Sequence, residues 1–336
     1  MPVIDADTHV IETERTWEYM EGPDKAFRPD GIVAHGKEYW LVDGRVLPRR
    51  QNIGPTTTEA TREMADVEAR LKHMDELGVD LHVLYPTAFL EPMTRKPEVE
   101  LALTRGYNRW LADIWSKGKG RLLWAAVLPL LSMDKALDEV RWANKNGAVS
   151  VFVRGMETSG PLWDAYYYPL FDELVKLNMP IGIHAGINHF EVDEAARGEA
   201  FRRFKLPVVG TFHALLNAGI PQRFPGLRIG FVETGAQWVP YALHDLAKRL
   251  ERRGEEIDAG IMARSAFYVT VQTDDDLDYV LRYTGEDTLM IGSDYGHSDN
   301  AAELEALRKL RDGGQLPAQV VDKILEDNPS RFYALE

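Results

Sequence analysis

The chain contains no cysteine among its 336 residues. Disulfide bonds and thiolate metal sites are therefore excluded, and any metal ion must be held by histidine, aspartate or glutamate. Basic residues are also in the minority, since 39 Lys and Arg stand against 53 Asp and Glu and give a formal net charge of −14. Because nucleic-acid binding depends on basic side chains that neutralise phosphates, this balance argues against a nucleic-acid partner.

Long apolar segments are missing as well. No apolar run approaches the roughly 20 residues that a membrane-spanning helix needs, and the N-terminus lacks the basic and apolar segments of a secretory signal. We therefore expect a cytoplasmic protein that has no membrane partner and acts on a small-molecule substrate. The chain could form a homo-oligomer. Hydrophobic residues make up 45% of the chain, which is typical of a globular protein. One α/β barrel accounts for this length, so we expect a single domain over residues 1–336.

Short apolar segments alternate along the chain with longer segments of helical periodicity. Near-continuous apolar strands are typical of a parallel sheet that is covered on both faces. Helical patterns cover 58–78 and 134–147, and the second ends in Asn-Gly, a helix stop signal. Eight strands, each followed by a helix or by space for one, predict an α/β fold of the (β/α)8 TIM-barrel type. The predicted strands are 2–7, 80–86, 121–129, 148–153, 179–185, 227–233, 266–271 and 287–294.

Residues 13–57 do not follow this repeat. They contain GKEYWLVDGRVLPRR, in which alternating residues flank Asp43-Gly44, a strong β-hairpin signal. Because this inserted hairpin and loop region follows the first strand, it belongs to the rim where TIM-barrel active sites lie. Long loops in compact domains are often functional, so we predict a lid over the substrate. The alternative is an excursion without function.

The opening segment MPVIDADTHV places Asp5, Asp7 and His9 two residues apart. Side chains at i and i+2 face the same way along a strand, so all three are expected to face one way at the C-terminal rim. An isolated buried carboxylate is costly, so these side chains need partners. Other apolar strands end in polar residues that would meet them at the same rim, namely His184, Glu233, Asp294 and His297.

This set predicts a metal centre. Carboxylate and imidazole groups without thiolate suit Zn, Fe or Mn. Six side chains exceed what one catalytic ion with an open position uses, and three carboxylates with a bridging hydroxide would balance the charge of two divalent ions. We therefore expect a binuclear centre. Its candidate ligands are Asp7, His9, His184, Glu233, Asp294 and His297.

Six segments carry a family resemblance: IDADTH, LKHMDELGVDLHVLYPT, IGIHAG, RFPGLRIGFVETGAQWVP, LMIGSDYGH and ILEDNPSRFYAL. Through them the chain is similar to the amidohydrolase superfamily, in the amidohydrolase-related branch that includes enzymes like aminocarboxymuconate semialdehyde decarboxylase. The resemblance implies that Asp7 and His9 occupy the places of the family's first-strand H-x-H ligands. It likewise matches His184 to the fifth-strand histidine, Asp294 to the eighth-strand aspartate, and Asp5 to an aspartate that supports the ligands.

Three positions depart from the family pattern. Asp7 replaces the first histidine of the pair, and Glu233 stands where many members have a histidine. Arg154 follows the fourth strand, where binuclear members commonly place a bridging carbamylated lysine. The missing lysine argues for one metal ion, whereas the additional acid and His297 argue for two.

We expect a metal-dependent hydrolase in which a metal-bound hydroxide attacks an amide, ester, thioester or lactone. Asp294 would move a proton from the nucleophile to the leaving group. Arg154 would stabilise an oxyanion or hold a substrate carboxylate, with a salt bridge to acidic residues as the alternative, and His189 would line the pocket. The rival functions are a mononuclear, metal-dependent non-oxidative decarboxylase and a non-catalytic ligand-binding barrel. The number of bound metal ions distinguishes the two enzymes.

Overall fold

Eight parallel strands with helices between them form a nearly closed (β/α)8 barrel, as predicted. The computed structural model describes residues 2–49, 52–187, 200–254, 257–258, 260–298 and 301–335. Around the barrel the strand order is β1-β5-β6-β7-β10-β11-β12-β13, with β2-β3-β4 and β8-β9 as two small antiparallel sheets. The strands are β1 (Ile4–His9), β2 (Asp30–Ala34), β3 (Lys37–Val42), β4 (Arg45–Pro48), β5 (Leu81–Tyr85), β6 (Leu122–Val127), β7 (Ala148–Arg154), β8 (Met156–Glu157), β9 (Gly160–Pro161), β10 (Ile181–His184), β11 (Ile229–Val232), β12 (Phe267–Val271) and β13 (Leu289–Ile291).

The helices of the described residues cover the outside of the barrel, and none of them is long and apolar enough to cross a membrane. The α-helices are α1 (Glu59–Arg62), α2 (Val67–Leu77), α3 (Pro97–Lys117), α4 (Met133–Lys145), α5 (Tyr168–Leu177), α6 (Ala200–Phe204), α7 (Leu206–Asn217), α8 (Ile220–Arg223), α9 (Trp238–Glu251), α10 (Ile261–Arg264), α11 (Leu277–Thr284), α12 (Ala306–Asp312), α13 (Ala318–Asp322) and α14 (Asn328–Tyr333). Short 3-10 helices cover Thr16–Tyr19, Gly22–Phe27, Ala88–Leu90 and Ala165–Tyr167, and a π-helical turn covers Lys323–Asp327.

The predicted helix over 58–78 is two helices. A turn separates α1 from α2, and Met64 adopts a positive φ of 52° in it, a conformation that a helix cannot contain. Each helix has its own N-cap, because the side chains of Thr58 and Asp66 accept hydrogen bonds from the main-chain N–H groups of Thr61 and Ala69. The sequence pattern is amphipathic through the turn, so only these caps mark the break.

The inserted region after β1 contains the predicted hairpin. β3 and β4 pair antiparallel across Asp43 and Gly44, which have φ values of 51° and 75°. Positive φ at both turn positions is what a tight two-residue hairpin needs. β2 adds a third strand that the sequence pattern did not predict. Trp40 of this sheet is buried and packs edge-on against Trp17, with ring centroids 6.0 Å apart.

β1 begins two residues later than predicted and contains a bulge. Asp5 pairs with His82 and Thr8 with Leu84, so three steps along β1 match two along β5. A bulge of this kind interrupts the two-residue alternation of side chains. The Asp5 carboxylate therefore lies 3.8 Å from His82, whose ring accepts a hydrogen bond from Arg70 of α2 in the helix layer. The prediction that Asp5, Asp7 and His9 face the same way is wrong for Asp5.

The C-terminal helix α14 closes the barrel at the end opposite the site. The Tyr333 hydroxyl donates to the carbonyl of Ala6 and lies 3.0 Å from the Tyr85 hydroxyl. Phe332 lies against Gly230, where an added Cβ would come within 2.5 Å of the ring.

Candidate metal centre

Five of the six predicted ligands meet where the C-terminal ends of β1, β10 and β13 come together. Potential donor atoms of Asp7, His9 and His184 lie within 4.8 Å of one another, and so do those of His9, Asp294 and His297. His9 belongs to both groups, so the two groups form one continuous cluster. All five residues are buried, with at most 4% of each exposed.

Main-chain contacts between β1 and the segment after β13 fix the spacing of the ligands. The N–H of Asp294 donates to the carbonyl of Asp7 at 2.9 Å, and the N–H of His9 donates to the carbonyl of Tyr295 at 2.7 Å. Gly292 permits this approach, since a Cβ there would lie 2.2 Å from Cβ of Asp7. Asp294 has a left-handed φ of 51°, a strained conformation that is often found at functional sites.

Three donor atoms converge on one point, and a fourth adjoins them through His9. Asp7 Oδ1 lies 3.2 Å from His184 Nε2 and 3.5 Å from His9 Nε2. Asp294 Oδ1 lies 3.3 Å from the same His9 nitrogen. Ligands about 2.1 Å from one ion in a tetrahedral arrangement are separated from one another by about 3.4 Å. The spacing of the Asp7, His9 and His184 atoms therefore fits a single cation, and Asp294 adjoins this group beside His9.

The two histidines of β1 and β10 present bare nitrogens to this point. His9 Nδ1 lies 3.0 Å from the carbonyl of Pro86, and His184 Nδ1 lies 2.8 Å from the carbonyl of Ala185. A carbonyl can only accept, so either ring, when neutral, has its hydrogen on Nδ1 and a lone pair on Nε2. Among the described residues, His9 Nε2 has no hydrogen-bond partner. A nitrogen lone pair and a carboxylate oxygen that face each other repel unless a cation lies between them.

The protonation states also suit metal binding. Burial raises the pKa of Asp7, but a proton on the neighbouring His184 ring outweighs burial and holds the pKa below its usual range. Burial, together with the His297 ring, lowers the pKa of His9 to about 3. At neutral pH Asp7 is therefore ionised and His9 is neutral, which are the forms that bind metals. The residues present fit a divalent cation.

His297 is held differently from the other two histidines. The Thr87 hydroxyl donates to the carbonyl of Val10 at 2.8 Å, so it must accept from His297 Nε2, which lies 3.0 Å away. The other nitrogen, His297 Nδ1, lies 2.7 Å from Asp294 Oδ1. With a hydrogen already on Nε2, a second proton has to lie between Nδ1 and Asp294. This pair can therefore hold a proton beside the cluster.

Glu233 lies outside both donor groups. Its Oε2 atom is 3.3 Å from His184 Nδ1, on the opposite edge of the ring from the nitrogen that faces Asp7. Its main-chain N–H donates to the Thr270 hydroxyl at 2.9 Å. Glu233 is thus placed to orient the His184 ring, since a carboxylate on Nδ1 fixes the hydrogen there.

Asp5 also lies outside the donor groups, in agreement with a supporting role. Its two oxygens accept from the main-chain N–H and the hydroxyl of Ser293 at 2.9 and 2.5 Å. Burial raises the pKa of Asp5 to about 7, against the opposing effect of these hydrogen bonds. Asp5 therefore joins β1 to the segment after β13 just behind the ligands.

The structure joins Arg154 to Glu157. The guanidinium contacts the Glu157 carboxylate and donates to the carbonyl of Phe89 at 3.0 Å. Of the two roles expected for Arg154, the geometry favours the salt bridge. His189, the third predicted catalytic residue, lies outside the described residues.

A cleft of about 270 Å³ opens beside His297. It combines apolar side chains with polar ones from both the inserted region and the barrel loops. Thr87 and Glu12 lie in this cleft and were not selected from the sequence, although both follow strand ends where rim residues are expected. The lining residues include Ile11, Glu12, Trp40, Pro48, Arg49, Asn52, Thr87, Leu90, Ile187, Phe204 and His297.

Comparisons with known proteins agree with this architecture. A family model described as Amidohydrolase matches residues 4–335. An amidohydrolase from Mycobacterium avium subsp. paratuberculosis superposes with a TM-score of 0.79 at 20% identity, covering 99% of this chain and 97% of that one. The 5-carboxyvanillate decarboxylase of Novosphingobium aromaticivorans, solved with bound manganese and 3-methoxy-4-hydroxy-5-nitrobenzoic acid, gives 0.72 at 20% identity, covering 99% and 97%. A 2,6-dihydroxybenzoate decarboxylase from Rhizobium gives 0.69 at 18% identity, covering 100% and 99%.

Proposed function

Because the chain belongs to the amidohydrolase family of metal-dependent enzymes, we propose that it is a non-oxidative decarboxylase that uses one divalent metal ion. The substrate is a small aromatic carboxylic acid with an oxygen substituent beside the carboxylate. Asp7, His9, His184 and Asp294 hold the ion, and His297 with Asp294 supplies the proton. The hydrolase that the sequence favoured becomes the second candidate.

The observation that carries the proposal is the convergence of two imidazole nitrogens on the Asp7 carboxylate, with the Asp294 carboxylate beside one of them. His9 and His184 both have Nδ1 against main-chain carbonyls, so in their neutral forms both rings turn a lone pair on Nε2 toward the cluster. These nitrogens then face Asp7 Oδ1 across 3.2 and 3.5 Å with no hydrogen between them. A divalent cation accepts all of these lone pairs at once.

One ion accounts for the geometry better than two. Glu233 contacts the Nδ1 edge of His184 instead of the donor cluster. Arg154 stands where a bridging lysine would be needed, and its guanidinium is engaged by Glu157. A second ion would thus lack both a bridging lysine and the third carboxylate, Glu233, that the binuclear expectation counted as a ligand. Manganese is the first metal to test, since a similar decarboxylase was solved with it.

Each residue then has a defined task in decarboxylation. A bound divalent ion would act as a Lewis acid toward the substrate carboxylate and its neighbouring oxygen, which orients the carbon–carbon bond to be broken. His297, which lines the cleft, directs its proton-bearing edge toward Asp294. When carbon dioxide leaves, the bonding electron pair stays on the ring carbon and takes up the proton held by this pair. The Thr87 hydroxyl fixes the His297 ring during the transfer.

The cleft supports an aromatic substrate. Trp40, Leu90, Ile187 and Phe204 provide apolar surface, and two similar structures are decarboxylases of hydroxylated or methoxylated aromatic acids by name. Trp40, Pro48, Arg49 and Asn52 come from the region between β1 and α1. Their presence in the lining supports the proposal that residues 13–57 form a lid over the substrate.

The test is product analysis in deuterium oxide. Manganese-loaded protein is incubated with 2,6-dihydroxybenzoate, 5-carboxyvanillate and related hydroxybenzoates, and carbon dioxide and the aromatic product are measured. The proposal expects carbon dioxide and one deuterium on the carbon that lost the carboxylate. Absence of carbon dioxide from every acid, together with turnover of an ester, lactone or amide, would reject the decarboxylase in favour of the hydrolase.

Hydrolysis remains the second candidate because of the same proton-holding pair. Once the proton between His297 and Asp294 is lost, the pair at 2.7 Å could accept one from water and pass it to a leaving group. The two reactions differ in the substrate bond broken and in whether carbon dioxide forms, so the experiment above separates them.

A further inference from the structure

Arg70 of α2 is completely buried behind the candidate metal centre. None of the described carboxylates forms an ion pair with it, and its Nη2 atom has no hydrogen-bond partner among the described residues. Burial lowers the pKa of Arg70 to about 10, so it remains charged at neutral pH. Placing an unpaired cation in the interior is costly, and the fold offers apolar alternatives at such positions. The cost of burying this charge indicates that Arg70 has a role beyond packing.

The contacts of Arg70 converge on the main chain that carries the ligands. Nη1 donates to the carbonyl of His9 and to that of Thr61, each at 3.3 Å. Nε donates to Nδ1 of His82 at 3.1 Å. The guanidinium lies flat on the ring of Tyr295, with its carbon 3.5 Å from the ring centroid. Arg70 therefore touches β1 at one candidate ligand and the residue that follows another.

Tyr295 completes this arrangement. Its carbonyl accepts from the N–H of His9 at 2.7 Å, and its hydroxyl lies 2.7 Å from His73 Nδ1 on α2. Thr8 and Tyr295 form the isolated parallel bridge between β1 and the segment after β13. The contact between Arg70 and Tyr295 thus lies at the place where the segment that carries His9 meets the segment that carries Asp294.

We propose that Arg70 is a positioning residue for metal binding: its guanidinium holds the His9 main chain and the Tyr295 ring together and so fixes the spacing between the β1 ligands and Asp294. The proposal rests on the metal site proposed above. Arginine suits this task because its planar group donates in several directions while it stacks on a ring. A lysine keeps the charge but cannot make these contacts together.

The experiment compares Mn²⁺ binding to the apoproteins of wild type, Arg70→Met and Arg70→Lys. Free Mn²⁺ is measured by electron paramagnetic resonance during titration, the spectrum of bound Mn²⁺ reports its coordination, and thermal unfolding of each apoprotein is recorded. Loss of an outer partner of metal ligands typically weakens binding about 10- to 100-fold. Both variants are expected to bind at least about tenfold more weakly and to show an altered spectrum of bound Mn²⁺.

Arg121→Met is the matched control. Arg121 also donates to main-chain carbonyls, those of Asp80 at 2.9 Å and Val79 at 2.7 Å, but at the other end of β5. Its removal is expected to lower the unfolding temperature without changing Mn²⁺ affinity. Wild-type affinity and spectrum in Arg70→Lys overturn the proposal, and that variant decides the outcome if Arg70→Met does not fold. If wild type itself binds no divalent metal, the proposed metal site fails first.

Discussion

The histidines on the two sides of the candidate centre are held by different partners. On the side formed by β1 and β10, His9 and His184 place Nδ1 against main-chain carbonyls. On the side that follows β13, His297 places Nδ1 against the Asp294 carboxylate and Nε2 against Thr87. The first arrangement leaves a lone pair at the centre, whereas the second leaves a proton.

Under the proposed function, the difference gives one residue type two chemical roles. A carbonyl partner on Nδ1 fixes the imidazole tautomer, which suits a metal ligand. A carboxylate that shares a proton with Nδ1 across 2.7 Å, as Asp294 does, suits acid–base chemistry, whereas Glu233 lies 3.3 Å from His184 Nδ1 and orients that ring. The β1 and β10 side is therefore assigned to metal binding and the His297 side to proton transfer, and each assignment can be tested separately.

His184→Ala should have the largest effect, because it removes a ligand from the metal-binding side. We expect Mn²⁺ affinity to fall by at least about 100-fold and turnover to be lost with it. The titration described for Arg70 measures the affinity. His213→Ala is the control, since His213 pairs with Asp245 on the outer surface at 3.1 Å. Unchanged Mn²⁺ binding by His184→Ala would refute the assignment of the β1 and β10 side.

His297→Asn should separate the two sides. Turnover is expected to fall by about 100-fold or more, because the proton source is removed. Mn²⁺ affinity should fall by only about tenfold, because the ligands are intact and only a partner of Asp294 is lost. Kinetics at saturating Mn²⁺ and the same titration give the two values. A loss of Mn²⁺ affinity as large as in His184→Ala would show that His297 is a metal ligand and would reject the assignment of its side to proton transfer.

The smallest effect is expected from pH. Because burial and the His297 ring lower the pKa of His9 to about 3 and Asp7 stays ionised, no proton competes for these ligands near neutrality. A histidine of ordinary pKa, about 6.5, would bind protons as the pH falls below that value and weaken metal binding. Mn²⁺ affinity should therefore change by less than about twofold between pH 6 and pH 8. A tenfold loss at pH 6 would show that a ligand histidine titrates.

Much of the architecture could be predicted from the sequence because buried parallel strands have a simple signature. The apolar runs before His184 and Asp294 predicted both strands and the rim to which these side chains belong. The bulge in β1 could not be predicted in the same way, since it depends on pairing with β5. Asp5 was consequently placed on the wrong face by strict alternation.

The finer chemistry of the site depends on partners that come from distant segments. Neither the bare Nε2 of His9 nor the proton beside His297 follows from the sequence, because Pro86 and Thr87 decide them and carry no motif. Arg70 lies in an amphipathic helix, where an arginine ordinarily faces solvent. The salt bridge between Arg154 and Glu157 was easier to predict, because the two residues are only three positions apart in the sequence.

The metal content of the purified protein tests the central claim most directly. Protein expressed with ample manganese, iron or zinc is freed of loosely bound metal, and metal per chain is measured by elemental analysis alongside the spectrum of the Mn²⁺ form. The convergence of Asp7, His9 and His184, with Asp294 beside His9, predicts one ion per chain and the spectrum of isolated Mn²⁺. Two ions per chain with a spin-coupled spectrum would contradict the account and restore the binuclear hydrolase.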